Sequence, residues 1–176
     1  YVIEPSFDDA LETYAARRVI APGMLRDAGT PLQTSIRRLR QHVADERKAI
    51  AAADAAQRSW LQADFHICLA ECLGNRFLTS MLIDLSARTT LVSALYQSQS
   101  EAQTSNDDHA AIVAALADGD NALAERLMLE HIDTLAACLD ASRAGSGSAR
   151  DRLRSALAPD MPAAGARATQ RRLKKM

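Results

Sequence analysis

Four histidines occur in the chain, at positions 42, 66, 109 and 131, and their placement against apolar neighbours bears directly on chemistry. An imidazole taken out of water needs a hydrogen-bond partner or a metal. His66 shares a helical face with Leu69, Ala70 and Leu73. His109 is followed at helical spacing by Ile112, Val113 and Leu116, and His131 sits between Leu127, Met128 and Leu135. All three are therefore predicted to point inward, from three separate helices. Side chains from different helices of a bundle converge on one interior volume, and three neutral imidazoles there suit a divalent transition metal with coordination positions left open. Spacing alone leaves two readings standing: a shared site, or three separately satisfied core histidines. His42 falls off its stripe, beside Arg38, Asp45 and Glu46, and is predicted to be a partly solvated surface residue. Cys68 and Cys72 lie four apart on one face beside Phe65; they could be soft metal ligands, but their apolar neighbours assign them to packing.

The elements that must carry these residues read as helices throughout. Periodicity begins after Ser6, with Asp9 at capping-box spacing, and runs through Leu11, Tyr14, Ala15 and Arg18 until Pro22-Gly23, which is expected to kink or break the helix. Thr30-Pro31-Leu32-Gln33 reads as a helix start, with Thr30 as the cap and Pro31 at the first position. The following stripe is Leu32, Ile36, Leu39 and Val43, with Arg37, Arg38, Arg40, Asp45, Glu46 and Arg47 on the charged faces. A third helix runs from about Asp54 through Trp60, Leu61, Phe65 and Leu69 to Cys72 and ends at Gly74-Asn75. The fourth carries Phe77, Leu78, Met81, Leu82, Leu85, Leu91, Val92 and Leu95, and both are predicted to bury wide faces. After a polar stretch at 97–104, Ser105 and Asp108 suggest a capping box for a short helix ending at Gly119. Asp120 then caps a last long helix with Ala124, Leu127, Met128, Leu135 and Cys138 on one face.

The expected fold is thus all-α, an antiparallel bundle of about six to seven helices. Few glycines, prolines and aromatics in a chain rich in alanine and leucine agree with this. At 176 residues the chain has room for one well-buried domain, assigned to residues 6–142. The chain opens at Tyr1 without an initiator Met, so a further segment is expected to precede it, and residues 1–5 fall outside the assigned domain. Residues 143–176, rich in Gly, Ser, Ala and Pro and ending in Arg171-Arg172-Leu173-Lys174-Lys175, are read as a disordered basic tail. A net charge of −1 gives no electrostatic case for the chain itself binding nucleic acid or an anionic membrane. No apolar run approaches the roughly 20 residues needed to cross a bilayer, and the first residues lack the pattern of a signal peptide. Three cysteines, an odd number, fit a reducing cytoplasm better than a disulfide framework.

The order and spacing of several segments resemble a known family. Asp64-Phe65-His66, followed by Leu69-Ala70-Glu71 and Gly74-Asn75, resembles the phenylalanine-histidine helix and glycine-asparagine end of the C-terminal domain (FCD) in the FadR branch of GntR-family transcription regulators. Asp108-His109-Ala110, Ala114-Ala115-Leu116, Gly119-Asp120 and then Ala124, Met128 and His131 resemble its closing pattern of two histidines. Ala16-Arg17-Arg18-Val19-Ile20-Ala21-Pro22 resembles its first helix, and Tyr1-Val2-Ile3-Glu4-Pro5 looks like the last strand of a winged helix. The resemblance covers about residues 7 to 140.

What it implies is a domain that dimerises and senses a small metabolite, often a carboxylate, in a regulator whose N-terminal winged helix, absent from this chain, binds operator DNA. It further implies that His66, His109 and His131 are ligands to a divalent transition metal such as zinc, nickel or manganese, and that Arg17 faces the same cavity and meets the effector. Where many metal-binding relatives carry an aspartate one turn before the first histidine, this chain has Gln62, a neutral residue that would be at most a weak fourth ligand or an effector contact. Asp64 cannot replace it, because two residues along a helix is roughly 200° of rotation from His66. Ala21 stands where the family often has glutamate, which leaves Arg17 fewer partners within its own helix.

The expected function is therefore that of a homodimeric, cytoplasmic, non-enzymatic sensor, in which an organic acid binds at the histidine-held metal and repacks the bundle. Three rivals remain: a metal-free pocket in which the histidines bond the effector directly, a helical-bundle metalloenzyme, and a purely structural dimerisation module. The enzyme reading lacks a paired Glu-x-x-His pattern and an evident general base.

Overall fold

The computed structural model describes residues 6–144, which form six α-helices and no strand: α1 (Phe7–Arg26), α2 (Gln33–Ala51), α3 (Ala55–Leu73), α4 (Arg76–Tyr96), α5 (Gln99–Ala117) and α6 (Asn121–Ala144). The expected winged-helix exit at 1–5 and the tail from 145 onward lie outside the described residues.

Packing joins the helices into a closed ring. α1 lies against α6 and α4, α6 against α5, α5 against α2, α2 against α3, and α3 against α4. Each helix thus turns one stripe to a shared interior, and α3 and α5 also touch across it. The linkers at 52–54, 74–75 and 118–120 are short, so α2–α3, α3–α4 and α5–α6 are antiparallel neighbours. Leu25, Leu39, Phe65, Leu69, Leu82, Ile112 and Met128 are fully buried in the core. Each such side chain contributes about 1.5–3 kcal/mol relative to leaving it in water.

Local signals explain most of the boundaries. Ser6 and Asp9 form the expected capping box at α1: Asp9 N–H donates to Ser6 Oγ at 3.0 Å and Ser6 N–H to Asp9 Oδ2 at 3.3 Å. Gly74, at φ +81°, supplies the left-handed residue that ends α3, and Asn75 caps α4 through Leu78 N–H.

Four expectations fail, each for a physical reason. Pro22 does not break α1, which continues to Arg26; Met24 and Leu25 beyond it are buried, and their burial offsets the one backbone hydrogen bond the ring deletes. Thr30 does not cap α2. Leu32 holds that position in an extended conformation with no side-chain cap, which carries Thr30 away from the first helical amides. α5 begins at Gln99 instead of Ser105, because Ser98 and Glu101 form the capping box at 3.2 and 2.7 Å and the polar residues after them are inside the helix. Finally, α4 is not buried on a wide face: Phe77 is 79 %, Met81 51 % and Leu91 41 % exposed, and only Leu82, Ser86, Thr89 and Val92 are fully inside.

Candidate metal centre

The three inward-facing histidines meet. His66 from α3, His109 from α5 and His131 from α6 are each at most 1 % exposed, and one ring nitrogen of each lies within 4.8 Å of the other two. His109 Nε2 and His131 Nε2 are 3.2 Å apart. Ring centroids lie 5.3 Å apart for His66 and His109, 5.5 Å for His66 and His131, and 4.7 Å for His109 and His131. Phe65, next to His66 on α3, stacks on His109 at 3.8 Å and 12°, which fixes that ring's plane.

Two carboxyl groups orient the rings from behind. His109 Nδ1 lies 2.9 Å from Glu46 Oε2 and 3.1 Å from Oε1, and His131 Nδ1 lies 3.1 Å from Asp108 Oδ2. Asn106 Nδ2 donates to both Glu46 Oε2 and the Val43 carbonyl, which holds the Glu46 carboxyl in place. A carboxylate on Nδ1 turns Nε2 inward with its lone pair free, the arrangement that makes a histidine a good metal ligand. His66 Nδ1 is buried and has no partner among the described residues.

Burial keeps all three imidazoles neutral. It drives His66 and His109 well below the ordinary histidine range, with the Arg17 charge adding to the effect. His131 is lowered to about 4 by burial, against the pull of Asp108. Burial also pushes Glu46 up to about 8, opposed by Asn106 and the nearby imidazoles. Glu46 and His109 therefore form a neutral pair sharing one proton, despite their salt-bridge distance. Three neutral nitrogen donors, two of them braced by carboxyls, fit a borderline divalent metal such as zinc or nickel.

Arg17 also lies inside, 2 % exposed, beside the Tyr14 ring at 5.9 Å. Nη1 donates to Thr89 Oγ1 on α4 at 3.0 Å, while Nε and Nη2 have no partner. No carboxylate among the described residues pairs with it, and burial lowers its pKa to about 10. Nε and Nη2 form one edge of the guanidinium, the fork that takes a carboxylate side-on. Gln62 is 6 % exposed; its amide donates to the Ala102 carbonyl at 2.7 Å and its Oε1 is unpartnered. Asp64 faces away, its Oδ2 lying 3.8 Å from His42 Nδ1.

Two sequence-based expectations need correcting here. Glu46, expected on a charged face, is 0 % exposed; it continues the stripe Leu39, Val43, Ile50, and that position was the available signal. The His42 side chain, expected at the surface, is only 11 % exposed, and its Nε2 donates to the Leu61 carbonyl at 2.9 Å. Asp108, Asn106 and Thr89 are further functional neighbours that periodicity alone did not single out. A small, half-open cleft of about 30 Å³ lies among Tyr14, Val92, Tyr96, Glu101, Leu135 and Cys138, none of them a residue of the histidine cluster.

Residues 12–134 match the family described as the FCD domain. Among curated proteins nothing matches. Among solved structures, the chain superposes on one described as Streptococcus agalactiae GntR with a TM-score of 0.64 and 20% identity, covering 76% of this chain and 61% of that one. It superposes on a second, described by the words "Lar controls the expression of the Listeria monocytogenes agr system and mediates virulence", with a TM-score of 0.67 and 13% identity, covering 77% of this chain and 65% of that one. At these identities the likeness is one of fold, and the chain spans less than two thirds of the length of either.

Proposed function

Because the chain belongs to the FCD domain family, we propose that it is the effector-sensing and dimerisation part of a GntR-type, FadR-branch transcription regulator. The observation that carries this reading is the meeting of His66, His109 and His131, neutral and inward-facing, with Glu46 and Asp108 behind two of them. These histidines would hold a divalent transition metal, zinc, nickel or manganese, with Gln62 Oε1 as a weak fourth donor. Such an ion would supply open positions for an oxygen of an organic acid.

The chain's own residues do the rest. Arg17 receives the carboxylate on its free Nε–Nη2 edge, and Thr89 holds the guanidinium in position from α4. Residues from α1, α3, α5 and α6 would thus meet one ligand, with Thr89 of α4 behind Arg17, so its binding can favour one arrangement of the ring over another. The effector shifts that equilibrium only by its differential affinity for the two arrangements. Operator DNA would be bound through a winged-helix domain, which places the regulator in the cytoplasm. No helix among the described residues is long and apolar enough to cross a membrane.

The outer face of α4 supports a two-fold dimer. Phe77, Met81, Asp84, Arg88 and Leu91 share one exposed stripe, and neither Asp84 nor Arg88 has an ion-pair partner among the described residues. An antiparallel pairing of α4 with its symmetry mate would bury the apolar members and set Asp84 against the partner's Arg88 twice.

Metal analysis of purified protein tests the metal part. About one equivalent is expected in the wild type and a loss in His109→Ala; no bound metal in either would overturn it. Calorimetry with organic acids in chelator-treated protein separates the metal-free pocket, in which binding would persist.

A further inference from the structure

Cys68 and Cys72 lie one turn apart on one face of α3 and take no part in the histidine cluster. Two residues along a helix is roughly 200° of rotation, which turns Cys68 away from His66. The pair faces α2 instead. Cys72 Sγ donates to the Ser35 carbonyl at 3.8 Å, and Ser35 Oγ donates back to the Cys72 carbonyl at 3.3 Å. Arg38, one turn further along α2, pairs with Glu71, and its charge acts on both thiols.

Core packing accounts for Cys68, which is 3 % exposed, but leaves unexplained why a second thiol, partly open to solvent, stands beside it. The two thiols are close enough to act on each other through a hydrogen bond. Two chemistries can join such a pair. A disulfide needs Cβ atoms about 3.5–4.5 Å apart. Side chains one turn apart on a helix have theirs about 5–6 Å apart, so an S–S bond would require the last turn of α3 to unwind. An ion held between the sulfurs spans that wider gap with the helix intact.

The number and softness of the donors select the ion. Zinc in a structural site takes a full tetrahedral set of ligands. Among the described residues no third histidine, cysteine or carboxylate joins Cys68 and Cys72; the one such group of three is His66, His109 and His131. Thiolates are soft donors that select copper in its monovalent state, an ion content with two of them. Two thiolates around one Cu(I) keep a single negative charge, and the Arg38 guanidinium offsets it. We propose that Cys68 and Cys72 form a two-coordinate site for the soft monovalent ion Cu(I) on the α2-facing side of α3, with Cys72 as the point of entry and Arg38 as the countercharge. The site shares no ligand with the histidine cluster, and neither reading depends on the other.

The test is anaerobic titration of the purified chain, with ascorbate as reductant, against a chromophoric Cu(I) chelator. Wild type and His109→Ala alike are expected to withdraw about one equivalent of Cu(I), with a sulfur-to-copper absorption in the near ultraviolet. Cys72→Ser should lose that uptake, whereas Cys138→Ser, in the cleft between α1, α4 and α6, should keep it. Circular dichroism reports whether Cys72→Ser keeps its helices. A second measurement needs no variant: bound Cu(I) should protect Cys72 from alkylation by iodoacetamide, read by mass spectrometry. No withdrawal of copper by the wild type, no protection of Cys72, or uptake undiminished in Cys72→Ser would each overturn the site. Uptake lost in His109→Ala would overturn it by placing the ion among the histidines. A Cys68–Cys72 disulfide formed by peroxide in fully helical protein that takes up no copper would overturn it and assign the pair to redox chemistry.

Discussion

His109 and His131 approach each other nitrogen to nitrogen, Nε2 to Nε2 at 3.2 Å, while the opposite nitrogen of each ring faces a carboxyl. Two lone pairs cannot face each other at that distance; a proton or a cation must lie between them. With burial holding Glu46 near 8, a cation-free arrangement is self-consistent. Glu46 donates to His109 Nδ1, His109 Nε2–H donates to His131 Nε2, and His131 Nδ1–H donates to Asp108.

Metal binding must then displace one proton from this chain, because both Nε2 lone pairs are needed and His109 has to carry its proton on Nδ1. Titrating zinc into the chelated protein at pH 7 in buffers of different ionisation enthalpy should report release of about one proton. Release of none would mean that the histidines already stand in the metal-ready tautomer.

Glu46→Gln keeps the shape of the side chain and removes its ability to become a carboxylate. Metal affinity should fall about 10–100-fold with helical content unchanged. Asp64→Asn, on the other side of α3, should leave affinity unaltered. Equal losses in both variants would show that overall charge, not the bond to His109, is what matters.

The fold and the three imidazoles were legible because burial leaves a periodic trace. His66, His109 and His131 each sit among apolar residues at helical spacing, and helix caps such as Ser6 and Gly74 are set by the local chain. Glu46 was not legible in the same way, because a carboxyl among Arg47, Asp45 and Lys48 reads as solvated until its partners on α5 are known. The start of α5 was missed for a related reason: Ser105 and Asn106 are polar yet buried, satisfied or constrained by neighbours far away in sequence. The α4 stripe shows the opposite limit, since Phe77, Met81 and Leu91 repeat at helical spacing like core residues and yet are exposed.

Stability of the chelated protein should pass through a maximum near pH 6.5. The folded values of His66, His109 and His131 all lie below their ordinary 6.5, so below that pH the unfolded chain takes up three protons that the folded one refuses, and stability falls with pH. Glu46 acts with the opposite sign. Its folded value of about 8 lies above its ordinary 4.5, so its contribution is lost as pH rises through 8. Between 6.5 and 8 Glu46 therefore dominates, and below 6.5 the histidines do. Urea denaturation from pH 4.5 to 8.5 checks this; a monotonic rise with pH would show Glu46 ionised in the fold.

The proposed dimer can be tested by exchanging charges. Arg88→Glu would place two glutamates against two Asp84 side chains across the two-fold, and the dimer should weaken by roughly 100-fold or more. Light scattering after size exclusion would read this as monomer at micromolar concentration. Asp84→Arg combined with Arg88→Asp restores opposite charges in the reversed order and should restore the dimer. A double variant as monomeric as Arg88→Glu would place the two-fold elsewhere.

Arg17 states the conflict between stability and binding most directly. A guanidinium buried with one bond to Thr89 and two unpartnered nitrogens costs the fold more than an apolar side chain of similar length, since desolvated donors without acceptors are among the most expensive groups to bury. Arg17→Met fills the same space beside Tyr14 without the charge. Unliganded protein should therefore gain about 1–2 kcal/mol in urea denaturation. The same variant should lose carboxylate binding by at least roughly ten-fold, because the charge-assisted fork is gone. Relief from the Arg17 charge should also raise the protonation range of His66, for which that charge is the largest electrostatic cause after burial. A destabilised Arg17→Met would mean that the guanidinium holds α1 to α4 structurally, and the residue would then be a brace between helices with no acid to receive.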